Sequence, residues 1–393
     1  MNYQYLMPTK IVHGPGSLSQ LGQLCKELGK KSPLFVTDPG VKGAGLLDEA
    51  LAVLKTAGIE FVLFDRVNQD AGSKVVDEAV RMAVEKKCDM IIAFGGGSVL
   101  VAGKAIALVV PNGGSIVDYE GKSVVKNLPL AVIAIPTTAG TGSEVSKMIP
   151  VMNEEKKHKM SIGGDAYFPR IAILDPLLLR TLNQRQMALT SIDGLSHAIE
   201  AFFTNMTTAI TDAVALYSIE LYSKFLKEAV YTDSIDSREK VLLASALANM
   251  ACGNSKLGLA HALAHPLSGL CGVPHGVAIA IMMPYVLDFN LPAAYDRFAQ
   301  IGRVWGVEER NTEDCAVKAA DRVKEFIRSF DIPKTLREVG VQEGIIPQMA
   351  RNCVVGLYDV FSKQEFDETT LIKSPNIRKA TVKDVTRLFK EAL

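Results

Sequence analysis

The stretch Asp89-Met90-Ile91-Ile92-Ala93-Phe94-Gly95-Gly96-Gly97-Ser98 carries an apolar strand pattern straight into a glycine turn, and residues 99–110 continue with apolar positions at helical spacing. Strand, glycine turn and helix start together aim unpaired backbone N–H groups and the positive end of a helix at one point, which suits a phosphate. Alone, such a run also serves as a tight turn with no ligand. Upstream, Pro33-Leu34-Phe35-Val36-Thr37 reads as a strand ending at Asp38-Pro39-Gly40, and residues 60–64 and 130–135 read as two more. Residues 43–57 and 73–87 carry apolar positions at helical spacing. Strands that are apolar throughout, separated by helices, predict a parallel sheet covered on both faces.

A second loop strengthens the phosphate reading. Residues 130–135 end in Pro136-Thr137-Thr138-Ala139-Gly140-Thr141-Gly142-Ser143-Glu144, dense in hydroxyls and small residues. Two such loops at the same ends of neighbouring parallel strands would form one cleft. Asp38, at the end of an early strand, can accept hydrogen bonds from the hydroxyls of an adenosine ribose and would repel a 2′-phosphate. It can equally initiate the turn at Pro39-Gly40.

After Leu174-Asp175-Pro176 the pattern changes to long helices, over 185–204, 209–229, 237–252 and 312–330, with few β-branched runs. The expected organisation is an α/β nucleotide-binding domain with a parallel sheet over 1–180, followed by an all-α domain over 181–393.

Composition excludes several classes. A chain of 393 residues, 48% hydrophobic and 22% charged, is globular and long enough for two cores. Its 43 basic side chains balance 43 acidic ones, so no net field would hold nucleic acid or an anionic membrane. A small molecule is the expected partner. The six cysteines, Cys25, Cys88, Cys252, Cys271, Cys315 and Cys353, show no C-x-x-C pair and read as reduced thiols of a cytoplasmic protein. Residues 1–16 lack the apolar core of a signal peptide. Residues 257–287 contain no Asp, Glu, Lys or Arg, a length that would span a bilayer. Three histidines with Pro266, Gly269, Gly272, Pro274 and Gly276 break that span, so a buried, polar-lined interior is expected instead.

Those histidines carry the chemistry. Asp193 and His197 are four apart in a helical pattern, so they share a helix face, and His261 and His265 repeat the spacing, with His275 after a Gly- and Pro-rich turn. A neutral imidazole in an apolar core needs both nitrogens engaged, and a metal engages one. A carboxylate with imidazoles and no thiolate nearby in sequence suits Fe(II) or Zn(II). His13 and His158 sit in polar contexts and receive no role.

Together these motifs resemble the iron-containing (group III) alcohol dehydrogenase family, nearly end to end from Met7-Pro8-Thr9-Lys10-Ile11-Val12-His13-Gly14 to residues 381–393. The most specific matches are residues 136–144 and the three-histidine segment 258–276. The resemblance implies a dehydroquinate synthase-like architecture, with an NAD-binding α/β domain and a metal-binding catalytic helical domain. It implies Asp193, His197, His261 and His275 as metal ligands and His265 as a neighbouring histidine near the nicotinamide. Gly95, Gly96, Gly97 and Ser98 would cradle the pyrophosphate, while Thr137, Thr138, Thr141 and Lys159 would contact the cofactor. Asp38 would favour NAD over NADP. The implied activity is NAD(H)- and metal-dependent interconversion of a small primary alcohol or diol and its aldehyde, with Fe(II), or alternatively Zn(II), stabilising the alcohol oxygen. His265 or the cofactor ribose would carry the proton away. A homodimer or larger homo-oligomer is usual for such enzymes, and Tyr3-Gln4-Tyr5-Leu6 reads as a strand that could pair across an interface.

Other readings remain beside this one. A glycerol-dehydrogenase-like Zn enzyme and a dehydroquinate-synthase-like lyase share the superfamily, and a nucleotide- or metal-binding protein without turnover would have lost a ligand or a loop glycine. Three departures from the family pattern concern substrate. Val101 stands where many members have Asp, Cys252 where many have an aromatic residue, and Asn376-Ile377-Arg378 where Asn-Pro-Arg is common. Losing a carboxylate and gaining Lys147 or Lys373 would let the pocket take an anionic small aldehyde, carboxylated or sulfonated.

Overall fold

The structure is a computed structural model that describes residues 3–68, 70–156, 158–355 and 366–393. Its strands are β1 (Lys10–His13), β2 (Pro33–Val36), β3 (Val62–Phe64), β4 (Met90–Gly95), β5 (Ala131–Pro136), β6 (Met148–Asn153), β7 (His158–Gly163) and β8 (Ile171–Leu174). The helices of the first half are α1 (Leu21–Glu27), α2 (Pro39–Gly43), α3 (Leu46–Thr56), α4 (Ser73–Glu85) and α5 (Gly97–Val109). The remaining helices are α6 (Gln184–Phe203), α7 (Ala209–Tyr231), α8 (Ile235–Ser255), α9 (Leu259–Cys271), α10 (His275–Asn290), α11 (Tyr295–Val304), α12 (Thr312–Arg328), α13 (Ile346–Val355) and α14 (Val382–Glu391).

One compact unit comprises Leu6–Leu182 together with Asp233–Ala246. Its six-stranded sheet has the order β1-β8-β5-β4-β2-β3, every pair parallel. The register explains why its strands read as apolar runs. Phe35, Ile92, Ile133 and Ile171 lie side by side across the sheet and enter one core with Leu24, Leu47 and Leu54 of the helices on that face. Their chain neighbours Leu34, Ile91 and Val132 form the adjacent row and point to the other face, against Val76, Val80 and Ile106. A strand alternates faces at every residue, so both sets must be apolar when helices cover both sides. Each such fully buried side chain contributes about 1.5–3 kcal/mol.

Four strands are additions to the expected pattern. β1 and β8 have four residues each, and β1 has partly polar, exposed ends, which leaves little periodicity to read. The antiparallel β6–β7 hairpin stands outside the main sheet, and its buried Ile149, Val151, Met160 and Ile162 join the core on the α5 side. Residues 3–9 form no strand, so the expected strand at 3–6 is corrected. Thr9 and Lys10 instead hydrogen-bond to the carbonyls of Pro169 and Arg170 beside β8.

The second unit comprises Asn183–Thr232 and Leu247–Leu393, with the N-terminal residues up to Tyr5. Among its described residues it is helical apart from isolated bridges. The first part of α8 groups with the α/β unit, so the helical unit is not the continuous 181–393 segment expected. Asn183 caps α6 by accepting the Gln186 N–H, and the helix then buries every residue from Ser191 to Phe203. The uncharged run 257–287 becomes α9, a glycine-ended turn and α10. Gly272 stops α9 at φ +67°, with Val273 N–H bonding back to Leu267. Pro266 lies inside α9, where it cannot donate to Ala262; the Cys353 thiol donates to that carbonyl instead, at 3.4 Å. By length and apolarity the helical run His275–Ala293 could cross a membrane, yet 67% of its apolar window is buried within the protein.

Candidate active site

The order in which the chain visits the strands reverses between β2 and β4, which run parallel. From β2 the chain proceeds outward to β3, and from β4 it proceeds the other way to β5. Such a switch leaves an opening at the carboxyl ends of the strands, and Asp38 and the Gly95 loop both lie there. The glycines make room for each other's neighbours. A Cβ on Gly97 would stand 2.7 Å from Thr141 Cγ2, one on Gly96 3.5 Å from Thr138 Cγ2, and one on Gly95 3.2 Å from Asp38 Oδ2. Gly95 pairs in register with Pro136, and Thr137 N–H donates to the Gly95 carbonyl at 3.0 Å, so the two loops leave adjacent strand ends together. Gly96 caps α5, and the first N–H groups of that helix open into this loop.

Asp38 caps α2 by accepting the Val41 N–H at 2.9 Å, which is its turn-forming role; its other oxygen lies beside Gly95. Ser98 Oγ accepts the Asp70 N–H at 3.1 Å, and Asp70 also pairs with Lys159 at 3.4 Å. The loops, Asp38, Ser98 and Lys159 are thus brought into one neighbourhood of the α/β unit.

Lys104 was not singled out from sequence. It is a lone charge in the otherwise apolar α5, completely buried, and its ammonium donates to the carbonyls of Ser143, Ser146 and Met148 at 2.9, 3.0 and 2.7 Å. Three acceptors use all three protons of the charged form, and this ties the exit of the Thr137–Glu144 loop to the helix that begins at the glycines. Burial pushes Lys104 down to about 7, against the pull of Glu144, and pushes the buried Glu144 carboxyl up to about 7.

In the helical unit, α6 presents Asp193 and His197, α9 presents His261 and His265, and His275 opens α10. Asp193 Oδ1 lies 3.6 Å from His275 Nε2, 3.7 Å from His261 Nε2 and 3.9 Å from His197 Nε2. One donor atom from each of Asp193, His261 and His275 falls within 4.8 Å of the others. The His197 ring stacks on that of His261 at 4.8 Å between centroids. His265 stands one layer away, its ring centroid 6.0 Å from His275 and 6.4 Å from His261.

The electrostatics call for a cation. Asp193 Oδ1 and His261 Nε2 are buried and have no hydrogen-bond partner among the described residues, although they point at the same spot. Burial alone would raise the Asp193 carboxyl, but His197, His261 and His275 outweigh it and hold it well below the usual carboxylate range. Burial lowers His261, and Glu200 with Asp193 more than reverses this, to about 9. Two orphaned, converging donor atoms in a dry site are what a divalent ion satisfies, so the residues fit a metal.

Glu200 was also missed. It lies on α6 one turn after His197, buried, with one carboxylate oxygen 2.5 Å from His261 Nδ1 and the other accepting the Ala260 N–H at 2.5 Å. Its only sequence signal is an acid in the apolar second half of a helical pattern, one turn after His197. Cys252 borders the same place: burial, then the charges of Asp193 and Glu200, raise its thiol, so it is no thiolate ligand.

Most of the residues expected to shape substrate choice have packing or hydrogen-bond partners of their own. Val101 packs in the core between α5 and the sheet. Lys147 is paired with Asp165 at 2.8 Å, and Lys373 is exposed. Asn376 exchanges two amide hydrogen bonds with Asn290, while Arg378 donates to the Phe289 carbonyl and lies over its ring. His13 and His158 meet Glu239 and Glu120.

Comparison with known proteins agrees with this geometry. The family described as "Iron-containing alcohol dehydrogenase" matches residues 8–176, and "Fe-containing alcohol dehydrogenase family, C-terminal" matches residues 187–393. The chain belongs to the iron-containing alcohol dehydrogenase family. It is therefore an oxidoreductase of the alcohol dehydrogenase type. Among members of the family, the NAD-dependent methanol dehydrogenase of Bacillus methanolicus is 33% identical over 392 residues, 99% of either chain. The 1,3-propanediol dehydrogenase of Klebsiella pneumoniae is 36% identical over 353 residues, covering 88% of this chain and 91% of that protein. The crystal structure of a 1,3-propanediol oxidoreductase superposes over 100% of both chains with a TM-score of 0.93 at 34% identity.

Proposed function

We propose that this enzyme is an NAD(H)- and metal-dependent dehydrogenase that interconverts a small, uncharged primary alcohol or diol and its aldehyde. The observation that carries this reading is the buried convergence of Asp193 Oδ1 and His261 Nε2, both without a hydrogen-bond partner among the described residues, beside His275 Nε2. Asp193, His197, His261 and His275 would hold the ion, and Fe(II) is the proposed metal, with Zn(II) suited to the same donors. When bound, the ion would supply Lewis acidity at the alcohol oxygen and the nicotinamide would supply the hydride acceptor, for a net conversion of alcohol and NAD⁺ to aldehyde, NADH and one proton.

The chain's own residues do the rest. Gly95, Gly96, Gly97 and Ser98 leave the backbone open for the pyrophosphate at the start of α5, and Thr137, Thr138 and Thr141 line the adjoining loop. Asp38 has a carboxylate oxygen beside Gly95 with which to accept ribose hydroxyls, which favours NAD over NADP. Lys159 offers a cation near Ser98 through Asp70. His265, half-buried one layer from the proposed ligand histidines, would take the released proton. The six cysteines are all free, in keeping with a reducing cytoplasmic setting, and the enzyme is proposed to work as a homo-oligomer on free small molecules.

The test is NADH oxidation against a panel of small aldehydes, using metal-stripped protein reloaded anaerobically with Fe(II) or Zn(II). Activity should return with metal and favour neutral aldehydes over carboxylated or sulfonated ones of equal size. No turnover with any metal, in protein that still binds NADH, would overturn the proposal.

A further inference from the structure

We infer that Glu200 is a positioning residue that fixes which nitrogen of His261 is available to a metal. The inference rests on the metal-site reading above and adds to it a residue with no part in that ligand set.

His261 has two ring nitrogens, and only the one without a proton can bind a cation. An ionised carboxylate accepts hydrogen bonds and donates none. One Glu200 oxygen lies 2.5 Å from His261 Nδ1 and the other accepts the Ala260 N–H at 2.5 Å. In the neutral ring, the form that binds a cation, this acceptor holds the proton on Nδ1 and leaves the lone pair on Nε2, the atom 3.7 Å from Asp193 Oδ1. The second contact matters as much as the first. Ala260 N–H is fixed in the first turn of α9, so it anchors the carboxylate to the backbone that carries His261. Gly258 makes the approach possible, since a Cβ there would already press on Glu200 Oε1 at 3.0 Å.

No other side chain of this size does both jobs. A glutamine has one acceptor oxygen and one donor NH₂. If the oxygen serves Ala260, the NH₂ faces Nδ1 and favours the tautomer with the proton on Nε2. If the oxygen serves His261, the NH₂ meets the Ala260 N–H, donor against donor. Either way the ligand nitrogen is blocked or its support is strained, while the volume of the side chain is unchanged. Carboxylate partners of this kind orient metal-binding histidines, and removing one weakens metal affinity roughly 10- to 100-fold.

The experiment compares wild type, Glu200→Gln and His261→Ala, each stripped of metal, by chelator-competition titration with Zn(II) and by the visible spectrum of the Co(II)-loaded form. NADH affinity and thermal midpoint report on the rest of the fold. Glu200→Gln should bind Zn(II) roughly 10- to 100-fold more weakly, with an altered Co(II) spectrum and unchanged NADH affinity. Zn(II) affinity within twofold of wild type and an unaltered spectrum would overturn the role of Glu200 while leaving the metal site standing, provided His261→Ala loses its metal. If His261→Ala binds Zn(II) as wild type does, the metal-site reading itself falls. Should Glu200→Gln not fold, ¹H–¹⁵N histidine NMR of the Zn(II)-loaded wild type decides the matter. A proton on Nδ1 of His261 supports the inference, and a proton on Nε2 overturns it.

Discussion

In the α/β unit the loop residues are small, and their fit depends on what is missing: a Cβ on Gly97 would lie 2.7 Å from Thr141, and one on Gly103, farther along α5, 2.5 Å from Ala93. In the helical unit the corresponding residues are large, polar and buried, and their fit depends on what is added. Asp193 and His261 keep unsatisfied atoms, with the surrounding charges arranged so that a cation completes them. One region is shaped by backbone that nothing obstructs, the other by side chains that packing has deprived of water. The first should fail through steric intrusion, and the second through loss of a single atom.

The largest expected effect tests the second half of that contrast. Asp193→Asn keeps the shape but removes the charge that three histidines surround, and metal-dependent turnover should fall roughly 1000-fold or more. NADH binding, followed by fluorescence titration, should stay as in wild type; weakened binding would mean the two regions are not independent. Gly97→Val makes the opposite cut. Overpacking of about 1–3 kcal/mol corresponds to roughly 5- to 150-fold weaker NADH binding, with Zn(II) affinity unchanged. Full-strength NADH binding by that variant would show that the loop does not hold the nucleotide.

Beneath the loops, Lys104→Met leaves three carbonyls without their shared donor. Urea unfolding should register a loss of about 4 kcal/mol. A loss under about 1 kcal/mol would mean that water replaces the ammonium at little cost.

The smallest effect is a pH dependence. Glu144 is raised from its ordinary 4.5 to about 7 by burial, so the folded protein keeps a proton that the unfolded chain has released. Its stabilising contribution is complete below about pH 4.5 and is lost as pH climbs to about 7. Relative to Glu144→Gln, wild type should lose at most about 3 kcal/mol over that window. Parallel stability curves for the two proteins would show that Glu144 is ionised in the fold throughout.

Much of the α/β fold was legible because burial on both faces forces continuous apolar runs, and β2, β4 and β5 lie within a residue or so of the expected strands. The β6–β7 hairpin was not, since its alternating pattern with Pro150 inside resembles a loop as much as a strand. The Asp193, His197, His261 and His265 cluster was legible because each pair repeats at one helical turn, a local geometry, whereas the proposed ligand set with His275 in place of His265 came from the family resemblance. Lys104 and Glu200 went unread because their meaning lies 39 to 44 and 60 to 61 residues away along the chain.

By itself the sequence determined what local chemistry can specify: the period of each element, the glycines that admit a phosphate and the histidines that invite a metal. Tertiary structure alone decided which charges are shut away from water and what each then touches. It set Glu200 against His261 Nδ1, Lys104 under three carbonyls, and Val101 in the core. Such contacts form where distant segments pack together, and the cost of burying a charge without a partner is what holds them in place.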